Sequence, residues 1–139
     1  MAESLVFDTS AFLTLTGDEP GADQVHAHVT DAIAKRIRVH ASFVSLTEVE
    51  YITHQEEGAE AAQQRLSNIR ALPIQWHHSD DALCSAAAKL KAAHRISFAD
   101  SFVAALALRL DAILVHKDPE FSALKGIMKM EMLPPKKQV

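Results

Sequence analysis

"DAILVHKDPEF", residues 111–121, runs from an apolar segment straight into His116-Lys117-Asp118, then a proline and a second acid. The apolar half is short and rich in β-branched residues, as expected of a strand buried on both faces. The polar half has a purely local explanation. Asp118 can cap a following helix with Pro119 at its first position and Glu120 in its first turn, where a negative charge is favourable. Whether Asp118 does more depends on what else the chain places beside it.

Working outward, the same kind of segment recurs. "SLVFD" (4–8), "IRVHAS" (37–42) and "PIQWH" (73–77) read as three further strands, and "IMKMEML" (127–133) as an edge strand. After the first strand, "AFLTLTGDEPG" reads as a turn through Gly17 and Pro20. Helical spacing appears in "ADQVHAHVTDAIAKR", with Val25, Val29 and Ile33 on one side. "SLTEVEYITHQEEG" reads as a helix ended by Gly58, and "AEAAQQRLSNIRAL" as one closed by Pro73. "SDDALCSAAAKLKAAH" and "SFADSFVAALALRL" supply two more. Strands alternating with helices predict βα units and a mostly parallel sheet of four or five strands. In such sheets ligands bind beyond the carboxyl ends of the strands, near a topological switch. Asp8 ends the first strand and Asp118 follows the fourth.

The bulk composition is consistent with one globular domain: 139 residues, 48% hydrophobic. No basic leader precedes an apolar stretch, and "SFVAALAL" is far too short to span a bilayer, so neither secretion nor a membrane is expected. Cys84 is the only cysteine. That excludes an internal disulfide and a zinc-finger spacing, and fits a reducing cytoplasm. The formal net charge of −4 argues against a sequence-reading DNA protein but not against a nuclease. Carboxylates that hold cations lower the formal charge while making the loaded site attractive to phosphate.

Two more acids stand in suggestive places. Glu48 in "SLTE" and Asp100 in "SFAD" both match a capping box, with Ser45 or Ser97 as the cap. Helix geometry adds to this. The neighbours of Glu48 three and four residues away are Val44, Ser45, Tyr51 and Ile52, largely apolar. Glu50 lies about 200° round the helix, on a more polar side. Glu48 therefore faces the protein and Glu50 the solvent. Asp100, flanked by Ile96, Ser97, Val103 and Ala104, repeats the pattern, with small residues nearby that allow close approach. Burying unpaired carboxylates costs several kcal/mol. Hard divalent cations such as Mg²⁺ or Mn²⁺, which prefer a few carboxylate oxygens, are the natural compensation.

With these residues in place the chain resembles the PIN-domain ribonucleases, and more narrowly the VapC-type toxins of type II toxin–antitoxin pairs. The resemblance is carried in order by "VFDTSAFL", "VSLTEVEY", "LKAAHRISFADSFVAALAL" and "AILVHKDPEF". It implies a three-layer α/β/α fold, with a PIN domain over residues 1–133 and a polar, frayed tail at 134–139. It also implies metal-dependent cleavage of RNA with Mg²⁺ or Mn²⁺ at Asp8, Glu48, Asp100 and Asp118, in a cytoplasmic homodimer restrained by a cognate antitoxin. The chain departs from the family where a hydroxyl-bearing triplet such as Thr-Gly-Asp is common, since His116-Lys117-Asp118 stands there.

Ser10, Arg95 and Lys117 are candidate substrate contacts, with Lys91 and His94 nearby. Each is also explained as a helix start or a solvated, helix-terminal charge. Trp76 reads as core or interface, and His77-His78 as the approach to a turn. The alternative function is a PIN-like module that binds RNA or protein without cutting. A phosphoacceptor domain would need more acids at the first strand, and a two-aspartate phosphatase would need one where Ser10 stands.

Overall fold

In the computed structural model, which describes residues 2–136, five strands form one sheet in the order β3-β2-β1-β4-β5, every neighbouring pair parallel. The strands are β1 (Glu3–Phe7), β2 (Ile37–Ser42), β3 (Ile74–His77), β4 (Ile113–His116) and β5 (Met130–Met132). The chain starts at the centre of the sheet, builds outward through β2 and β3, then crosses back to lay β4 on the other flank of β1. The switch in direction lies between β1 and β4, where Leu5 pairs with Ile113 and Phe7 with Val115.

Side-chain alternation in β1 divides the core into two. Leu5 and Phe7 pack with Phe12, Val25, Val49, Leu66 and Ile69, from α1 (Thr9–Thr16), α2 (Ala22–Ile33), α3 (Phe43–Glu57) and α4 (Ala59–Arg70). Val6 faces the opposite layer, made by α5 (Asp81–Ala93) and α6 (Phe98–Arg109). All residues of α6 from Asp100 to Ala107 are buried. Its alanines let the helix sit close to the sheet, and this brings Asp100 beside the strand ends. The three-layer α/β/α expectation holds, with a sheet parallel throughout.

Three local readings are corrected. The segment after β1 is not only a turn: α1 spans eight residues before Gly17. It is too short to display a clear period, and Thr14 and Thr16 are indifferent helix formers. Burial of Ala11 and Phe12 holds it, with Phe12 stacked on Trp76 at 5.3 Å. Second, α3 is capped by Ser42 rather than Ser45, so Ser45 is a buried first-turn residue. Third, the segment after Asp118 is a 3₁₀ helix, Pro119–Leu124. Ser97 caps α6, accepting from the Asp100 amide at 3.1 Å. Gly58 takes φ 100° between α3 and α4, a conformation costly for residues with a Cβ. Of the tail, Lys136 pairs with Glu19 at 3.2 Å, while 137–139 fall outside the described residues.

Candidate active site

Asp8 closes β1 and caps α1. One carboxylate oxygen accepts from the Ser10 amide at 3.1 Å and the Ser10 hydroxyl at 2.5 Å. The other, Oδ1, is buried without a partner. Burial pushes the Asp8 pKa up to about 6 against the pull of the two Ser10 hydrogen bonds, and the charges of Glu48 and Asp118 push the same way. The Ser10 hydroxyl also accepts from the Lys117 amide at 2.9 Å. One side chain thus ties the end of β1 to the segment leaving β4, across the switch point.

Asp100 projects from the first turn of α6 into the same place. It is 5% exposed, and its Oδ2 is buried without a partner. Burial raises its pKa to about 9, followed by the charge of Asp8, and by Asp118 and Glu120 beside it. A buried carboxyl among like charges retains its proton unless a cation replaces it. Asp118 caps the 3₁₀ helix, accepting from the Glu120 amide at 2.9 Å. That turn carries Glu120 back toward Asp100. Asp100, Asp118 and Glu120 each offer a carboxylate oxygen, all within 4.8 Å of one another.

Glu48 approaches from α3. Its Oε1 accepts from the Thr9 hydroxyl at 2.6 Å, and Thr9 lies 2.9 Å from the Ser45 hydroxyl. Glu50, two residues on, is exposed and meets Gln63. The inward–outward distinction read from the helix period is the one observed.

The structure therefore brings Asp8, Asp100 and Asp118 together, with Glu48 on the α3 side. The sequence alone gives Glu120 only as a first-turn acid complementing a helix dipole; its place beside Asp100 and Asp118 is set by the fold, and the signal for it is an Asp-Pro-Glu turn directly after a strand end. Lys117, expected to meet phosphate, is committed elsewhere: its ammonium is held by Glu19 at 3.2 Å and the Pro20 carbonyl at 2.7 Å. Ser10 uses its hydroxyl internally, as described. Arg95 is exposed and has no ion pair among the described residues.

His116 points into the α5–α6 layer, near enough to Asp118 for that charge to act on its ring. Its ring meets Phe121 edge to face at 5.0 Å and borders a cavity of about 460 Å³ lined by Pro119, Met128 and Met130. Burial pulls its pKa below the usual imidazole value.

Carboxylates converging from β1, α6 and the segment after β4 of a parallel sheet in the order β3-β2-β1-β4-β5 agree with a sequence match to the PIN domain over residues 5–127. The chain belongs to the PIN domain family. Solved structures share this PIN fold. VapBC2 of Rickettsia felis, bound to a DNA fragment from its promoter, superposes with a TM-score of 0.76 at 16% identity, covering 94% of this chain and 99% of the other. A toxin–antitoxin complex from Klebsiella pneumoniae gives 0.67 at 14%, covering 94% and 98%. VapC20 of Mycobacterium tuberculosis, described as a sarcin–ricin loop cleaving toxin, gives 0.70 at 18%, covering 87% and 95%. No curated protein sequence matches the chain. Among the described residues of this PIN domain, no helix is long and apolar enough to cross a membrane.

Proposed function

We propose that this PIN domain is a Mg²⁺- or Mn²⁺-dependent endoribonuclease and the toxin of a toxin–antitoxin pair. On this reading it works in the cytoplasm as a homodimer and is restrained by its antitoxin. The observation that carries the reading is the carboxylate cluster at the β1–β4 switch, with Asp8 Oδ1 and Asp100 Oδ2 buried and unpartnered. A buried cluster of this kind is unfavourable alone and becomes favourable with a hard cation, whose preferred ligands are the oxygens present. Asp8, Asp100, Asp118 and Glu120 would hold it, with Glu48 facing the same cleft.

A bound divalent cation supplies Lewis-acid polarisation of a phosphodiester and lowers the pKa of a water nucleophile. The protein's own part is positioning. Ser10 fixes the Asp8 carboxylate, the Ser97 cap fixes the first turn of α6 and hence Asp100, and the Asp118–Glu120 turn sets the third wall. Thr9 holds Glu48 in an orientation from which it can orient a water or accept a proton. The proposed nuclease and toxin roles are also supported by the company of the fold, since one similar structure is that of a sarcin–ricin loop cleaving toxin and another that of a toxin–antitoxin complex.

The test is cleavage of RNA by the purified chain with Mg²⁺ or Mn²⁺, its loss in EDTA, and its loss in Asp100→Asn. Expression without an antitoxin should slow growth, and Asp100→Asn should relieve this. RNA binding without cleavage in any metal would favour the non-cutting module instead.

A further inference from the structure

Along the carboxyl edge of the sheet, on the β2–β3 side of Asp8, aromatic rings run outward from the α5–α6 core to an exposed phenylalanine that the core does not require. Phe98 opens α6 and is 70% exposed. It meets Phe102 edge to face at 5.4 Å, Phe102 meets Phe43 edge to face at 5.6 Å, and Phe43 stacks on His78 at 6.3 Å with the ring planes inclined by 25°. Phe102 is buried and braces the row; Phe98 and His78 are the exposed ends, with Phe43 half-buried between. Phe43 follows the end of β2 and His78 the end of β3, so the row follows the same carboxyl edge of the sheet that carries Asp8. Phe98 and Asp100 are two residues apart on opposite sides of the first turn of α6, within about one helix width (~10 Å). Arg95 stands exposed three residues before Phe98.

An exposed phenylalanine at the rim of a charged cleft contributes little to folding, and its packing on Phe102 holds the ring in a fixed orientation. Sequence-tolerant binding of single strands combines such rings, on which bases stack, with a cation that meets the backbone. We infer that Phe98, with Phe43 and His78 behind it and Arg95 beside it, is a stacking platform for unpaired bases of an RNA whose phosphate lies over the carboxylate cluster. This rests on the nuclease proposal and adds to it the side chains that receive the bases next to the cut. The occupant is nucleic acid rather than an apolar peptide because the row runs along the same carboxyl edge of the sheet as Asp8 and stands beside Arg95, which has no ion pair among the described residues.

The test measures binding, not cleavage. Asp100→Asn protein, in Mg²⁺ buffer, is titrated with a short unstructured oligoribonucleotide carrying a fluorescent base, and with a fully paired RNA duplex. Adding Phe98→Ala should weaken single-strand binding by about 5- to 150-fold, the range for loss of one base–aromatic stack. Phe98→Trp should restore it, Phe98→Leu should not, and duplex binding should not respond to any of the three. Arg95→Ala should reduce the salt dependence of binding by about one counterion. Equal single-strand affinity of the Phe98→Ala protein overturns the platform alone. A change from dimer to monomer on Phe98→Ala with RNA affinity unchanged overturns it too, and assigns the face to a second copy of the chain. Failure of both wild-type and Asp100→Asn protein to bind any RNA overturns the nuclease reading together with this one.

Discussion

Without metal, the Asp8 carboxylate should destabilise the protein at neutral pH, and Asp8→Asn should relieve this. Burial raises its pKa from 3.8 to about 6, so ionising it in the folded state costs at most about 3 kcal/mol at ~1.4 kcal/mol per pH unit. The folded pKa lies above the unfolded one. Between pH 3.8 and about 6 the folded protein therefore holds the extra proton, and stability falls as pH rises through that window. Asp100, raised further by burial and the Asp8 charge, extends the fall above neutrality. Three imidazoles with depressed pKa values, His40, His77 and His116, act in the opposite sense, because stability is lost as pH falls below 6.5. The informative quantity is therefore the difference between wild type and Asp8→Asn. Asparagine keeps an oxygen for Ser10 and can offer its amide to Asp100. In EDTA at pH 7 the variant should be more stable by about 1–3 kcal/mol, roughly 3–10 °C in Tm. The advantage should shrink steadily on acidification to pH 4.5. Saturating Mn²⁺ should reverse the ranking, since a ligand at a hundred times its Kd adds about 2.7 kcal/mol to the form that binds it. Thermal unfolding over this pH range, with and without metal, checks the whole cycle. A wild-type-minus-variant difference that stays constant from pH 4.5 to 7 would refute the argument that buried charge repulsion is stored at this site.

Further outcomes follow from single contacts. Glu48→Gln should lower RNA cleavage at least ~10²-fold while Glu50→Gln stays within about twofold, measured as initial rates under the same metal; the opposite ranking would reverse the assigned helix face. Ser10→Ala leaves the Lys117 amide without its acceptor and removes a hydrogen bond that lowers the Asp8 pKa. It should cost about 1–2 kcal/mol in urea unfolding and move metal binding, followed by calorimetry against pH, to higher pH. His116→Thr should leave the ratio of Mn²⁺- to Mg²⁺-supported rates unchanged, because the imidazole packs edge to face on Phe121 and the clustered carboxylates are those of Asp100, Asp118 and Glu120; a ratio that falls would place it among the ligands.

Much of this was legible in the chain alone, for a reason of scale. Alternating apolar strands and periodic helices are local patterns, and they located β2, α2 and α6 and set Glu48 inward against Glu50. Rules tied to strand ends likewise single out Asp8 and Asp118 from the sequence alone. Which strands become neighbours is a non-local matter. Only the folded sheet, with β1 between β2 and β4, puts Asp8 next to Asp118 and lets Ser10 bridge the two segments. Glu120 and Lys117 show the same limit in opposite directions. Both flank Asp118 in sequence, but the Asp118 cap turns Glu120 into the cluster while Glu19 and the Pro20 carbonyl draw the Lys117 ammonium away. A short helix such as α1 has too few residues to announce itself by period, and it exists because Phe12 finds Phe7 and Trp76 on elements far along the chain. Local propensity proposes where a side chain can point; the partners that compensate its charge or bury its surface come from distant segments, and those decide where it does.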